Sequence, residues 1–287
     1  MLAIVLALAA AIVYGGSDFT AGLAARGASV IQVTLIASVV AAAVAVAAVP
    51  FAAVGHRPAA AALAWGVLAG VAGTAGAFAL YLGFRHAAFS VAGPLSAVGA
   101  AGFSVLAGLL MGERPTALAL AGTVLALPAI VSVSASAARG DQAGGHGRPA
   151  AGVALGLVAG ACFALLFIGL NRAGSGSGLW PVAAAGVADV VVAGVAAVVT
   201  GNLRLPGARA GWLAAATGAA GAAGTILYFF ATHDGFLAVT AVLTSLYPAV
   251  TIVLARILLG ERLTPLRIAG LSLAAVCVAL IAAGGAG

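Results

Sequence analysis

The chain has 287 residues, of which 64% are hydrophobic and only 6% are charged. A soluble domain carries roughly 25% charged residues, so this composition excludes a water-soluble protein and indicates a bilayer protein. The net charge of +6 comes from 12 basic residues, all of them Arg, scattered between apolar runs. Nucleic-acid binding needs clustered basic residues, so we expect no nucleic-acid partner.

Ten apolar runs are each long enough, at about 20 residues, to cross a bilayer as a helix. The predicted spans are residues 2–22, 30–49, 60–82, 89–110, 116–135, 150–170, 180–200, 211–231, 236–258 and 266–283. The first run has no basic residue ahead of it. We therefore expect a membrane span there, not a cleaved signal peptide.

The C-terminal part of the chain repeats the N-terminal part at a fixed offset of 148 residues. The repeated positions include a ladder of glycines, Gly70, Gly73 and Gly76, which returns as Gly218, Gly221 and Gly224. The turn Gly112-Glu113-Arg114 returns as Gly260-Glu261-Arg262. The glycines are predicted to pack helices. The Glu and Arg of the turns are expected to satisfy helix ends and each other.

The longest polar stretch, residues 139–149, is the predicted linker between a five-helix repeat at 1–138 and another at 150–287. It is too short to cross the bilayer. Because five is odd, the second repeat must enter from the opposite face. The predicted fold is therefore an all-α membrane protein of ten helices, arranged as two inverted five-helix repeats around a central cavity.

Two carboxyl groups lie inside predicted spans, where an ionisable group is costly and is a candidate for function. Asp18 follows Tyr14 by one helical turn, so the two side chains share a face. Burial favours the neutral form of a carboxyl, so Asp18 is the leading proton-coupling candidate; the alternative is capping or pairing with Arg26. Asp189 is the second candidate, and its alternative is a hydrogen-bonded structural carboxyl.

Tyrosines and prolines complete the predicted cavity. Tyr81, Tyr228 and Tyr247 lie in spans and are expected to join Tyr14, Asp18 and Asp189 as substrate-cavity residues. Pro94 and Pro248 are predicted to break the fourth and ninth spans, because freed backbone carbonyls are tolerated where they line a cavity. Simple kinks are the alternative.

Chemistry-bearing residues are too sparse for an enzyme or a cofactor site. Cys162 and Cys277 lie in separate apolar runs and are interpreted as packing residues. The four His show no metal-ligand spacing, and without Lys there is no P-loop of the GxxxxGK[ST] type. We expect no metal, no cofactor and no enzymatic activity, since an enzyme needs clustered acid, base or nucleophilic groups.

Several motifs carry a family resemblance. The fourth span of each half ends in a similar turn, LMGERPT or LLGERLT, and residues 14–27 read YGGSDFTAGLAARG. With the two five-span repeats, these motifs resemble the drug/metabolite transporter superfamily, EamA type, over nearly the whole chain. The resemblance implies a cavity between the halves and proton-coupled or exchange transport of amino acids, metabolites or toxic small molecules. Without a basic cluster, phosphate and nucleotide substrates are disfavoured.

The predicted function is a secondary transporter, an exporter of a small molecule by alternating access, in the cytoplasmic membrane of a bacterium. Its expected partners are the substrate, protons and the lipid bilayer, and it is expected to be a monomer or weak dimer. A channel or a structural membrane subunit is the alternative, and an integral-membrane enzyme ranks below both. The orientation stays open, because the resemblance implies cytoplasmic termini whereas the Arg distribution favours the reverse.

Overall fold

The computed structural model describes residues 1–52, 58–86, 89–135, 149–260 and 265–284. Every regular element within these ranges is helical. Most of the predicted linker, residues 139–148, and the turn residues Glu261 and Arg262 lie outside the described residues.

The described helices follow the predicted spans closely. The first half contains α1 (Leu2–Ala24), α2 (Val30–Ala52), α3 (Ala60–His86), α4 (Phe89–Leu110) and α5 (Ala117–Ala135). The second half contains α6 (Pro149–Arg172), α7 (Trp180–Val199), α8 (Ala208–Asp234), α9 (Leu237–Thr244), α10 (Tyr247–Leu259) and α11 (Pro265–Gly284). A short 3-10 helix, Ser175–Ser177, precedes α7.

Within the described part of the chain, 7 helical stretches are long and apolar enough to cross a membrane. One of them, Leu237–Leu259, combines α9 and α10. Shorter apolar helices, Ser96–Leu110, Ala117–Ser132 and Ile268–Gly284, coincide with the predicted fourth, fifth and tenth spans. The protein is therefore an all-α, multi-pass membrane protein.

The two predicted helix breaks differ in outcome. The ninth span ends as α9 at Thr244 and restarts as α10 at Tyr247, with Pro248 in the first turn of α10, where no N–H is required. The fourth span does not break at Pro94: α4 runs from Phe89 to Leu110 without interruption. Pro50 and Pro128 likewise lie inside α2 and α5. Neighbouring helices in a membrane bundle can re-satisfy the backbone groups that a proline frees, so proline alone does not end a helix here.

Helices of one half pack mainly on helices of the other. The pairs are α1 with α8, α3 with α6, α2 with both α7 and α8, α3 with α7, α4 with α6 and α9, α1 with α9 and α10, and α5 with α11. Most of these contacts have a counterpart in which the halves exchange roles: α1 on α8 corresponds to α3 on α6. The core therefore lies between the halves.

Contacts along the helices give their relative directions. Gly66 lies against Pro181 and Gly70 against Ala185, so α3 and α7 run in the same direction. Gly169 lies against Trp65, whereas Gly76 lies against Cys162, so α3 and α6 run in opposite directions.

Glycines permit the closest of these contacts. A Cβ on Gly70 would overlap the carbonyl oxygen of Ala185, and a Cβ on Gly218 would overlap that of Ala37. Backbones approach this closely only where one partner has no side chain, which is how small residues hold membrane helices together. The packing role predicted for Gly70 and Gly218 is therefore seen directly.

The turn after α4 makes an unexpected contact. Gly112 takes the left-handed conformation with φ 92°, as Gly260 does with φ 69° after α10. The Glu113 carboxylate then accepts hydrogen bonds from the N–H groups of Leu237 (2.5 Å) and Ala238 (2.9 Å). Glu113 thus satisfies a helix end, as the sequence predicts, but that end belongs to α9 in the opposite half.

Candidate functional site

A central cavity of about 290 Å³ lies between the halves. Helices α1, α2, α3, α6, α7 and α8 supply most of its lining, and α4 and α10 supply one residue each. Its polar and aromatic lining residues are Tyr14, Ser17, Asp18, Ser38, Phe163, Phe167, Asp189, Thr217, Thr225 and Tyr247. The volume falls at the lower end of the roughly 300–1,000 Å³ typical of small-molecule sites.

Four of the six predicted cavity residues line this space: Tyr14, Asp18, Asp189 and Tyr247. Tyr81 lies on α3, beyond the lining residues Ala77 and Leu80, and its side chain falls outside the described part of the structure.

Tyr228 does not line the cavity. It is fully buried beside it, where its hydroxyl donates to the carbonyl of Phe167 at 3.3 Å and the two rings lie 4.4 Å apart. The side chain supports the lining residue Phe167 from behind. The position of Tyr228 along the chain predicted how deep it lies in the membrane, but it could not predict the face of α8 that carries the side chain.

Asp18 projects into the cavity from the C-terminal third of α1. Among the described residues it makes no hydrogen bond or ion pair, and the alternative pairing with Arg26 is not seen. Its side chain is exposed to the cavity and not embedded between helices. An unpartnered carboxyl in this position is available to a proton or to a bound molecule.

Asp189 lies at the middle of α7 and is held by α3. The Thr74 hydroxyl donates to Asp189 Oδ1 at 2.7 Å. The hydroxyl fixes one oxygen of the carboxyl, while the residue also lines the cavity. The structural and the functional interpretations of Asp189 are thus both compatible with its position.

Tyr14 crosses from α1 to α8. Its hydroxyl lies 2.8 Å from Thr225 Oγ1, and Thr225 donates its own hydrogen to the Gly221 carbonyl at 2.9 Å. Since Thr225 has a single hydrogen, Tyr14 is the donor of this pair. Gly224 provides the space, because a Cβ there would lie 2.9 Å from the Tyr14 ring.

The helix break meets α1 at a glycine. A Cβ on Gly15 would lie 2.7 Å from the Tyr247 carbonyl oxygen and 2.6 Å from Val250 Cβ. Thr251 donates to the Gly15 carbonyl at 3.1 Å. The start of α10 therefore packs against α1 at Gly15, the residue that follows Tyr14.

Sequence reasoning missed the hydroxyl residues of the site. Ser17, Ser38, Thr217 and Thr225 line the cavity, and Ser17 donates to the Thr217 carbonyl at 3.0 Å. Burying Ser or Thr costs little free energy, because the hydroxyl can donate a hydrogen bond to a backbone carbonyl of its own helix. These residues therefore do not stand out in apolar runs as carboxyls do. The spacing of Thr217 and Thr225, about two turns on one helix face, was the available signal.

The described cavity lining contains two carboxyl groups and no Arg or His. No group of three or more His, Cys, Asp or Glu that could hold a metal occurs in the part of the chain that the structure describes.

The apolar helices and the cavity between them define a multi-pass helical membrane protein with room for a small molecule. The model of the EamA-like transporter family matches residues 1–135 and again residues 150–283, and the chain belongs to this family. Comparison with curated proteins gave no match. A solved crystal structure, described only as that of a protein, is similar with a TM-score of 0.72 and 17% identity, covering 97% of this chain and 95% of that one. At that identity the likeness concerns the fold.

Proposed function

We propose that the ten spans form two inverted five-helix repeats, residues 1–138 and 150–287, joined by the linker 139–149. The parallel course of α3 and α7, together with the antiparallel course of α3 and α6, supports this arrangement. If α1 to α3 alternate in direction across the membrane, α6 runs opposite to α1. The exchangeable helix contacts between the halves also favour a pseudo-two-fold axis.

The protein is, on this proposal, a secondary transporter that exports a small metabolite, amino acid or drug-like compound across the bacterial cytoplasmic membrane by alternating access. The observation that carries the proposal is the cavity of about 290 Å³ between the halves, with two carboxyl groups in its wall. Ionisable groups at membrane depth mark substrate or proton paths.

Asp18 is the proposed proton carrier, with Asp189 as the second candidate. Asp18 has no partner among the described residues, whereas Asp189 is held by Thr74. Substrate and proton would compete for the Asp18 carboxyl: protonation releases the substrate on one side, and deprotonation resets the site. Because the two compete for one carboxyl, binding of a proton and release of the substrate are coupled.

Substrate counterflow in proteoliposomes tests the transport function. Vesicles preloaded with an unlabelled candidate compound should transiently concentrate a labelled trace of the same compound, because an alternating site exchanges them. A channel equilibrates the label without overshoot. A structural subunit moves nothing, and an enzyme converts the compound.

The proton role is tested by imposing a pH gradient on the same vesicles. Asp18→Asn should abolish gradient-driven transport, while counterflow should persist at a substrate concentration raised to offset the weaker binding. Asp189→Asn is the matched variant, and coupling lost only in Asp189→Asn would move the role to α7. Wild-type coupling in both variants would leave exchange or facilitated diffusion as the mechanism.

A further inference from the structure

We infer that the molecule bound in the central cavity is a small organic cation: a protonated amine attached to an apolar aromatic or aliphatic group and lacking a carboxylate. The inference rests on the proposed transport function and narrows its substrate class. Three features of the described lining carry it, namely its charge, its hydrogen-bonding groups and the contrast in polarity between positions related by the repeat.

The charge of the described lining has one sign. Asp18 and Asp189 are its ionisable carboxyl groups, and no Arg or His accompanies them. A bound ligand that fills the cavity displaces water from these carboxyl groups, and a carboxylate without water is costly unless a positive charge or a proton compensates it. Because the protein provides no cation in this lining, the ligand or a proton must provide it.

The hydroxyl hydrogens around the cavity are largely used within the protein. Thr225 donates to the Gly221 carbonyl and Ser17 to the Thr217 carbonyl. Tyr14 donates to Thr225 and Thr74 to Asp189. What these groups leave for a ligand are acceptor oxygens, which match the N–H donors of an ammonium group.

The start of α10 adds few donors. Pro248 has no N–H, and the N–H of Ala249 donates to the Leu246 carbonyl at 2.9 Å. Ser38 and Tyr247 contribute one further hydroxyl each, and a hydroxyl can donate or accept. A carboxylate or phosphate ligand would thus meet two carboxyl groups and few free donors, so an amino acid fits less well than the corresponding amine.

Cavity positions related by the repeat offset carry a polar residue in one repeat and an apolar residue in the other. Positions related by 148 residues pair Asp18 with Leu166, Asp189 with Ala41, and Thr225 with Ala77, and all six line the cavity. The pseudo-symmetry of the backbone is therefore broken by the side chains. A ligand with one charged and one apolar end would bind in a single orientation.

The apolar wall comes mainly from α6, through Phe163, Leu166, Phe167 and Leu170. Aromatic faces attract cations as well as apolar groups. The volume of about 290 Å³ is roughly twice that of the ~150 Å³ cavity that holds benzene, which leaves room for about a dozen non-hydrogen atoms. An arylalkyl amine has this size.

The test measures binding of four probes to the purified full-length protein in lipid nanodiscs, all of which carry a phenyl ring on a short chain. These are 2-phenylethylamine, the neutral 2-phenylethanol, the anionic phenylacetate and the zwitterionic phenylalanine. Titration calorimetry should give tightest binding for the amine, with the other three weaker by about tenfold or more, the scale of one hydrogen bond to a charged group.

Three variants connect binding to the cavity. Asp18→Asn and Asp189→Asn should each weaken amine binding by about tenfold or more. Asp234→Asn, at the exposed end of α8 and outside the lining, is the matched control and should bind as the wild type does. Circular dichroism and gel filtration show whether each variant is folded. If only one of the two cavity variants folds, that variant alone is enough for the test.

Each outcome bears on one proposal or the other. Equal or tighter binding of phenylacetate, phenylethanol or phenylalanine overturns the inference. Binding of none of the probes to folded protein overturns it as well, as does unchanged amine binding in both cavity variants. Amine binding without counterflow upholds the ligand class and removes the transport function. Counterflow of a neutral or anionic compound does the reverse.

Discussion

The carboxylate of Glu113 accepts hydrogen bonds from the N–H of Leu237 at 2.5 Å and from that of Ala238 at 2.9 Å. The turn that follows α4 therefore caps the N-terminus of α9. The two residues belong to different halves of the chain. A negative charge at a helix N-terminus also compensates the positive end of the helix dipole. This pair therefore fastens the halves together at one end of the bundle.

Removing that cap should destabilise the protein. Glu113→Ala leaves two N–H groups without their acceptor, at a cost of about 1–2 kcal/mol. Glu113→Gln keeps an acceptor oxygen and loses the charge, so its cost should be smaller. Thermal unfolding in detergent, followed by circular dichroism, compares the two. Equal melting temperatures for Glu113→Ala and the wild type would contradict the capping role.

The effect of a glycine-to-alanine substitution in α8 on the free energy of unfolding should depend on what the added methyl group meets. Gly218→Ala would meet the Ala37 carbonyl and force α2 and α8 apart, at a cost of about 1–3 kcal/mol. Gly211→Ala, on the same helix, meets nothing within 4 Å and should be neutral or slightly stabilising. Denaturant titration in mixed micelles measures both. Similar losses would mean that helix propensity rather than packing dominates.

The Tyr14–Thr225 hydrogen bond should appear as a coupling energy. Tyr14→Phe and Thr225→Val each break the 2.8 Å bond while nearly preserving shape, and each should cost about 1 kcal/mol. Because both remove one interaction, the double variant should cost less than the sum of the two. A double-mutant cycle on unfolding free energies measures the difference. Strict additivity would show that the bond contributes nothing.

Thr74 should influence ligand binding through Asp189. Thr74→Val removes the 2.7 Å donor and frees the carboxyl to rotate, so amine affinity should fall several-fold. Thr74→Ser keeps the hydroxyl and should bind nearly as the wild type does. Calorimetric titration with 2-phenylethylamine distinguishes the variants. If the serine variant lost as much as the valine one, packing of the Thr74 methyl group would be responsible.

Much of the helix content of this protein could be predicted from apolar run length alone, because a bilayer forces backbone groups to pair within each span. The predicted spans and the observed helices agree to within a few residues at most boundaries. The prolines show the limit of that reasoning. Pro248 begins a new helix and Pro94 lies inside a continuous one, and the difference depends on neighbouring helices that a linear pattern does not contain.

The site divides in the same way. Carboxyls and tyrosines at membrane depth could be predicted from the sequence, since such residues stand out in apolar runs. The packing of the helices placed Tyr228 behind Phe167 and brought Thr225 to Tyr14 at the cavity. It also decided that Glu113 reaches the opposite half. Which face of a helix meets the cavity depends on contacts between residues far apart in the chain, and spacing along one helix carries no record of them.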